Sequence, residues 1–309
     1  MPWRTHAGIG GCRKTVRIRY HTRKSVGIAL ILRLDNTSDM TKQCLSLYCF
    51  LLLIGVGCSS EAESSDPELP EAAYTMYTFE RKSPSCATDS SRCAVFKAEF
   101  PILRSEIAGP NTANTINATV RREVVYASGL ANPEEGPSVQ SLEDQCTRFF
   151  NDYQEYLSFA EMSTMPWSME TMGKVIHQSP EIWNVALENY QFTGGAHPNT
   201  HTVFLNFDLD SGQLLDWADV LADSLGFVHL AEAAFREVWD IADDANLDEA
   251  GFFWGESFHP PANFSLEEKG LRLYYNTYEI APYALGPTDY ILPYDQLQEV
   301  LKPEYRTKQ

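Results

Sequence analysis

The fold is decided by residues 190–219, which read YQFTGGAHPNTHTVFLNFDLDSGQLLDWAD. Apolar and polar residues alternate on both sides of a Gly194-Gly195 pair, and glycine supplies the backbone freedom that a tight turn requires. The alternation after this turn predicts a strand at 202–209, and the turn at 210–212 predicts that the chain returns as a further strand through 213–215. This meander of short strands predicts an antiparallel sheet.

The flanking sequence extends the pattern in both directions. Alternating or densely aromatic segments predict further strands at 74–81, 94–103, 166–179, 182–192, on either side of 267–270, and at 290–293. Apolar residues at helical spacing predict helices at 112–126, from 141 onward, at 225–242 and at 294–301. Asn111 is the predicted N-cap of the first helix, and Ser141 with Asp144 forms a capping-box pattern at the second.

These elements predict an α+β fold in which antiparallel sheets pack with helices. We expect two small subdomains in tandem, an N-terminal one at 74–165 and a C-terminal one at 166–309. Residues 58–73 are acidic, rich in Ser and Pro and without apolar periodicity, so they are predicted to be a flexible linker before the folded part.

Charge is divided unevenly along the chain. Residues 1–39 contain eight Lys/Arg and two Asp/Glu, whereas residues 58–309 contain fifteen Lys/Arg and forty Asp/Glu. A folded part with this excess of negative charge repels phosphates, so we expect no nucleic-acid partner. The same charge attracts a basic partner, which favours encounter without identifying the partner.

Residues 40–57 have the layout of an export signal. Lys42 is followed by an apolar run from Leu45 to Val56, which is shorter than the ~20 residues of a membrane-spanning helix. Gly57-Cys58-Ser59-Ser60 resembles the lipidation site of bacterial lipoproteins, although Gly55 stands where that pattern prefers leucine. We therefore predict that Cys58 carries lipid, including palmitate. An ordinary cleaved secretory signal or a short buried helix is the alternative.

This signal predicts where the protein resides. We expect it to be exported and lipid-anchored to the bacterial envelope, facing the periplasm or the exterior. Met40 is a natural start for such a signal, so residues 1–39 are interpreted as an over-extended N-terminus. The alternative is that they form a basic cytoplasmic tail.

Two cysteines bracket a short polar segment between the first two predicted strands. After export, Cys86 and Cys93 would meet an oxidising compartment, which favours a disulfide between them. A metal site would need more ligands than this segment offers. Cys146 lies on a predicted helix, where we interpret it as a small buried hydrophobe.

Three segments together resemble a family of envelope domains. They are residues 190–199 (YQFTGGAHPN), 206–215 (NFDLDSGQLL) and 274–287 (YYNTYEIAPYALGP). The family is the domain of unknown function found in the lysozyme-sensing anti-sigma factor RsiV and as the non-catalytic N-terminal part of some peptidoglycan deacetylases. The resemblance is strongest over 184–301 and implies a smaller partner domain over about 74–159. It implies the fold and an envelope role, but no particular reaction.

The loop that follows the glycine pair is the first candidate binding site. Its candidate residues are Thr193, Gly194, Gly195, His197, Asn199 and His201. Imidazoles four residues apart can share a zinc ion, but no third ligand is evident, so hydrogen bonding to the loop backbone is the favoured interpretation. We therefore expect no metal and no cofactor.

Aromatic residues in the C-terminal part form the second candidate site. They are Trp254, Phe258, Tyr275, Tyr278 and Tyr283, of which the three tyrosines are the candidates for a groove that stacks on sugar rings. The competing interpretation is that these rings pack in the core, because aromatic side chains dominate core burial. That second interpretation is the favoured one.

The sequence contains no Gly-x-Ser-x-Gly, His-Glu-x-x-His or P-loop motif. We therefore expect a non-catalytic envelope lipoprotein that binds a cell-wall glycan such as peptidoglycan, or a basic protein such as a lysozyme-type hydrolase. The alternatives are a peptidoglycan-modifying enzyme that uses His197, and a structural lipoprotein of an envelope complex. The sequence carries no signature of a particular oligomeric state.

Overall fold

A computed structural model describes residues 73–127, 141–159 and 165–306, and all of them belong to one unit of the chain, residues 62–309. The predicted N-terminal extension, the export signal, Cys58 and all but the last residue of the linker lie outside the described residues. Among the described residues, no helix has the length and apolarity needed to span a bilayer.

Eight strands and six helices are described. The strands are β1 (Tyr74–Lys82), β2 (Ala94–Leu103), β3 (Trp167–Gln178), β4 (Ile182–Phe192), β5 (Asn199–Asp208), β6 (Phe264–Glu267), β7 (Gly270–Tyr275) and β8 (Thr288–Pro293). The helices are α1 (Ser105–Ala108), α2 (Pro110–Ala127), α3 (Leu142–Phe159), α4 (Trp217–Val220), α5 (Ser224–Trp239) and α6 (Tyr294–Leu297).

The first five strands form one mixed sheet with the spatial order β1-β2-β3-β4-β5. Neighbouring strands are antiparallel except β2 and β3, which are parallel. Parallel strands need a crossover connection, and α1, α2 and α3 lie on the chain between them. The predicted α+β class is confirmed, and the described sheets are antiparallel as predicted except at this pair.

Two hydrophobic cores follow from the order of the elements. In the first core, the buried faces of α2 and α3 pack on the five-stranded sheet, with Ile116, Phe149 and Trp183 fully enclosed. The second core lies between α5 and the antiparallel sheet β6-β7-β8. Along the chain, the buried residues of the first core extend to Leu209 and those of the second begin at Leu215. Strands β2 and β3 pair across the predicted boundary at residue 166.

Local signals located most element ends, with three corrections. The capping box is present, since the Asp144 N–H donates to Ser141 Oγ at 3.2 Å and the Ser141 N–H donates to Asp144 Oδ2 at 3.0 Å. Helix α2 begins at Pro110, so Asn111 lies inside its first turn; proline suits that first position. The predicted strand at 213–215 is reduced to one bridge, between Phe207 and Leu214. Helix α6 ends at Leu297, earlier than predicted, and Leu301 instead pairs with Leu221 in a second bridge.

The cysteines take the positions that the sequence favoured. Cys86 and Cys93 form a disulfide with an S–S distance of 2.07 Å. Cys146 is 3% exposed, so its interpretation as a buried residue is confirmed. Burial raises the pKa of its thiol to about 11, which makes it a poor nucleophile at neutral pH.

Asparagine side chains complete the outer edge of β5. The Phe204 N–H donates to Asn263 Oδ1 at 2.7 Å, and Asn263 Nδ2 donates to the Thr202 carbonyl at 2.8 Å. The Thr202 N–H donates to Asn276 Oδ1 at 2.7 Å, and Asn276 Nδ2 donates to the same carbonyl at 3.0 Å. These amides satisfy backbone groups that an edge strand would otherwise present to solvent.

Asn206 makes the reciprocal contact from β5 to β6. Its Nδ2 donates to the Phe264 carbonyl at 2.8 Å, and its Oδ1 accepts from the Leu266 N–H at 3.0 Å. Asn206 is 2% exposed, so both bonds are made away from water. The two sheets are therefore joined by side-chain amides that take the place of direct strand pairing.

Replacing Asn206 with Ala should destabilise the fold strongly. The change leaves one buried carbonyl and one buried N–H without partners, and each such group costs ~1–3 kcal/mol, so we expect the free energy of unfolding to fall by roughly 2–5 kcal/mol. Chemical denaturation followed by circular dichroism measures the loss.

The matched control is Asn114→Ala, at an exposed position of α2. Exposed substitutions of this kind change stability by ~0.5 kcal/mol or less. A loss for Asn206→Ala no larger than that of the control would show that the amide bridge contributes little.

Candidate functional site

The turn between β4 and β5 needs both of its glycines. Gly194 and Gly195 have φ angles of 94° and 99°, in the left-handed region that side chains other than glycine rarely adopt. The chain then reaches His197, which is exposed, before β5 begins at Asn199. The turn thus presents His197 at the surface.

Three aromatic rings meet beside this turn. The His197 imidazole stacks on the Tyr283 ring, with centroids 3.8 Å apart and planes 18° apart. The Tyr278 ring lies 5.5 Å from that of Tyr283 and 6.5 Å from that of His197. The Tyr283 hydroxyl also donates to the Pro198 carbonyl at 3.4 Å, which ties the two loops together. We call His197, Tyr278 and Tyr283 the aromatic platform.

Tyr278 is held in a strained conformation. Its φ is 70°, and a left-handed residue other than glycine costs ~1–3 kcal/mol unless its surroundings impose it. The surroundings here are a turn closed in both directions, since the Asn276 N–H donates to Glu279 Oε2 at 2.7 Å and the Glu279 N–H donates to the Asn276 carbonyl at 3.0 Å. The result is a tyrosine ring that is 53% exposed.

A groove of about 560 Å³ runs along the outer edge of β5 and includes Tyr278 in its wall. Other residues that line it are His201, Phe204, Asn263, Asn276 and Glu279. Tyr278 therefore belongs to both the groove and the aromatic platform, so the two features form one continuous surface.

Two ionisable side chains of the groove, those of Glu279 and His201, have shifted pKa values. Desolvation raises the pKa of the Glu279 carboxyl, against the opposing effects of its hydrogen bond from Asn276 and the charge of His259. Desolvation also lowers the pKa of the His201 imidazole, which favours its neutral form at neutral pH. Both side chains reach solvent, so the shifts reflect partial exclusion of water by the groove walls.

The structure separates the residues of the predicted binding loop. Thr193, Gly194 and Gly195 form the turn, whereas Asn199 and His201 lie in β5, which begins three residues earlier than predicted. His197 belongs to the platform and His201 to the groove, so the two imidazoles do not act as a pair on one loop. Within residues 73–127, 141–159 and 165–306, no three His, Cys, Asp or Glu side chains converge to hold a metal.

The aromatic candidates divide between core and surface. Tyr275 is fully buried in the second core, and its hydroxyl donates to the His259 carbonyl at 2.6 Å, so it cannot line a groove. Phe258 also packs against that core. Tyr278, Tyr283 and Trp254 reach the surface. The core interpretation therefore holds for Tyr275 and Phe258, whereas Tyr278 lines the groove and Tyr283 lies beside it, and their role in stacking on sugar rings stays a prediction.

Asn276 and Glu279 were missed as site residues. Both lie in the segment 274–287 that carries the family resemblance, but Glu279 is one of forty acidic residues after position 57. The left-handed turn that brings them together involves a tyrosine, which sequence rules do not place in such a conformation.

Two family models match the chain. Residues 87–200 match the family described as deacetylase PdaC, and residues 223–295 match a family described as a protein of unknown function, DUF3298. A DUF3298 domain is therefore present together with a PdaC-like region, which confirms the resemblance to domains that accompany peptidoglycan deacetylases. The hairpin at 190–199 falls in the PdaC-like region, so the part of the resemblance that it carries belongs to the PdaC family model and not to DUF3298.

Individual proteins give the same result. The chain is 29% identical over 140 residues to the peptidoglycan-N-acetylmuramic acid deacetylase PdaC of Bacillus subtilis (strain 168); the match covers 44% of this chain and 29% of that protein. A DUF3298 family protein from Pseudomonas aeruginosa PAO1 is similar in structure, with TM-score 0.57 and 23% identity over 78% of this chain and 97% of its own.

A DUF3298 family member from Bacteroides fragilis NCTC 9343 has TM-score 0.54 and 17% identity over 74% of this chain and 94% of its own. These two structures establish the likeness of fold. The chain spans less than a third of the length of the curated deacetylase, and the solved structures match it over most of theirs.

Glu279→Gln should stabilise the protein in a pH-dependent way. A carboxyl whose pKa is raised by folding disfavours the folded state wherever it is ionised, and this cost disappears as the pH falls below the pKa of the unfolded chain, about 4.3. The glutamine retains an acceptor for the Asn276 N–H. We expect a higher Tm for the variant at neutral pH and no difference near pH 3.

Thermal unfolding monitored across this pH range provides the test. Glu268→Gln, at an exposed position near β7, controls for the general loss of one negative charge. An equal gain in Tm for Glu279→Gln at neutral pH and near pH 3, or a gain in Tm that Glu268→Gln matches, would contradict a raised pKa of the Glu279 carboxyl.

Proposed function

We propose that this protein is a non-catalytic, lipid-anchored module of the bacterial cell envelope that binds cell-wall glycan on the aromatic platform. The observation that carries the proposal is the stack of His197 on Tyr283, with Tyr278 beside it, at the mouth of a groove. Aromatic faces pack well against the apolar faces of sugar rings, and hydroxyl groups at the ring edge can reach polar groups alongside.

The strain at Tyr278 supports a binding role for this surface. An exposed residue in a costly backbone conformation is expected at a functional site more often than elsewhere. The relative from Bacillus subtilis is named for its action on peptidoglycan, which makes the same polymer the first ligand to test. A small, pre-formed groove next to the rings suits a chain of sugars better than a folded protein surface.

The non-catalytic part of the proposal rests on the chemistry of the groove. Asn263 and Asn276 line it, and both amides are engaged with the backbone of β5. Amides in such contacts fix the shape of a surface, and an amide acts neither as a nucleophile nor as a general base. The alternative, a peptidoglycan-modifying enzyme, assigns the reaction to His197.

A basic protein partner is the second candidate. Trp254 is 58% exposed and follows Phe253, and both residues have left-handed backbone angles. The exposed acidic residues Asp248, Glu249 and Glu256 lie close to it in the chain. A tryptophan with a negatively charged rim has the composition of an interface that recognises a cationic surface.

Tyr283→Ala and Tyr278→Ala should each weaken retention on purified peptidoglycan. Loss of one ring contact is worth about 1 kcal/mol, so we expect about a fivefold reduction in affinity for each variant. Co-sedimentation of the full chain with peptidoglycan measures it, and Tyr77→Ala, which removes a surface tyrosine from β1, serves as the matched control.

Two further assays separate the alternatives. Capture on immobilised basic lysozyme, weakened by salt and by Trp254→Ala, with no retention on glycan, would favour the second candidate. Muropeptide release that His197→Ala abolishes would favour the enzyme. No retention on either material would refute both binding proposals.

Lipidation at Cys58 is part of the proposed function and has its own test. Expression in bacteria with labelled palmitate should label the wild-type chain, and Cys58→Ala should abolish the label because no other residue completes the lipoprotein pattern. Cys49→Ala, within the predicted signal, should leave the label unchanged. Label that persists in Cys58→Ala would contradict the anchor.

A further inference from the structure

We infer that the groove selects sugars with a free, protonated amine over their N-acetylated forms. This inference rests on the proposed glycan binding and names the class of glycan. Its basis is the position of Glu279 in the groove wall, directly after Tyr278 of the aromatic platform.

The groove is negatively charged. Of the described residues that line it, Glu279 is the one with an acidic side chain, and no Lys or Arg is among them. Its Oε2 accepts the Asn276 N–H at 2.7 Å, which orients the carboxyl group without neutralising it. A carboxylate in a partly water-excluded wall favours a cationic group as its ligand, through a charge-assisted hydrogen bond.

The Glu279 carboxylate disfavours an acetamido group. Asn263 Nδ2 and Asn276 Nδ2 each donate one N–H to the Thr202 carbonyl, at 2.8 and 3.0 Å, so these amides are fixed in the groove wall. An N-acetyl group placed against Glu279 would leave the carboxylate without a cation while excluding water from it. The carboxylate is therefore matched by an ammonium group and not by a neutral acetamido group.

The ring of Tyr278 favours a sugar over an isolated ammonium ion. It contributes to the groove and lies 5.5 Å from the ring of Tyr283, so a ligand can stack on the platform while its amine meets Glu279. The amine also approaches an aromatic face, which attracts cations. A lysine side chain carries the same positive charge, but it has no sugar ring that could stack on the tyrosines.

The groups that set the pH range of this contact all belong to the groove region. They are Glu279 itself, His201 on β5 and His259, whose charge acts on the Glu279 carboxyl. The contact needs an ionised Glu279 carboxyl and a protonated sugar amine, so we expect it at pH values between the pKa of the carboxyl and the pKa of the amine.

The test compares two probes on the full chain in detergent. Titration calorimetry in that pH range should show that a tetramer of β-1,4-linked glucosamine binds about tenfold more tightly than the corresponding N-acetylglucosamine tetramer. Glu279→Gln should abolish this preference by weakening only the glucosamine tetramer, with less than about a twofold change for the acetylated one. Glu268→Gln should keep the preference and so controls for net charge.

The outcomes distinguish the inference from the proposed function. Equal binding of the two tetramers by the wild type, or a preference that survives Glu279→Gln, would overturn the inference and leave glycan binding intact. Binding of neither tetramer would overturn both. Displacement of the glucosamine tetramer by tetralysine at equal concentration would show that charge alone is recognised, and would likewise overturn the inference.

Discussion

The structure depends on how the outer edge of β5 is satisfied. The backbone groups of Thr202 and Phe204 face away from β4, and no other strand among the described residues pairs with them. The side-chain amides of Asn263 and Asn276 do so, while Asn206 extends the same kind of contact to β6. Because a side-chain amide holds an N–H donor beside a carbonyl acceptor at fixed spacing, it reproduces the pairing of a backbone peptide. The edge is thereby closed and the second region of the fold is fixed against the first.

The candidate site is a product of this same edge. Asn276 both covers Thr202 and closes the turn that holds Tyr278 in its left-handed conformation. The strain at Tyr278 is therefore supported by contacts that also hold the two sheets together. A site built in this way is rigid before any ligand arrives, which reduces the entropy lost on binding.

Local patterns in the sequence predicted the fold better than the site. The hairpin from β4 to β5 was accessible because the glycine pair and the alternation around it are local signals. The asparagine contacts could not be predicted, since Asn263 and Thr202 are far apart in sequence and an asparagine in a loop usually indicates a turn. Period-two alternation with Leu271 and Leu273 supports the core interpretation of Tyr275. The exposure of Tyr278 could not be predicted, because its backbone conformation contradicts the preference of its residue type.

The parallel pairing of β2 with β3 has a consequence for how the chain folds. Ala94 lies beside Trp167, 73 positions later, whereas β3, β4 and β5 follow one another through short turns. Bringing distant segments together costs loop-closure entropy before their contacts compensate for it, so such pairs form slowly. We therefore expect the ribbon of β1 and β2 to join β3, β4 and β5 late in folding, through the β2–β3 pair. Until that pair forms, a partly folded chain carries two unpaired strand edges, and this is the stage at which it is most open to misassociation.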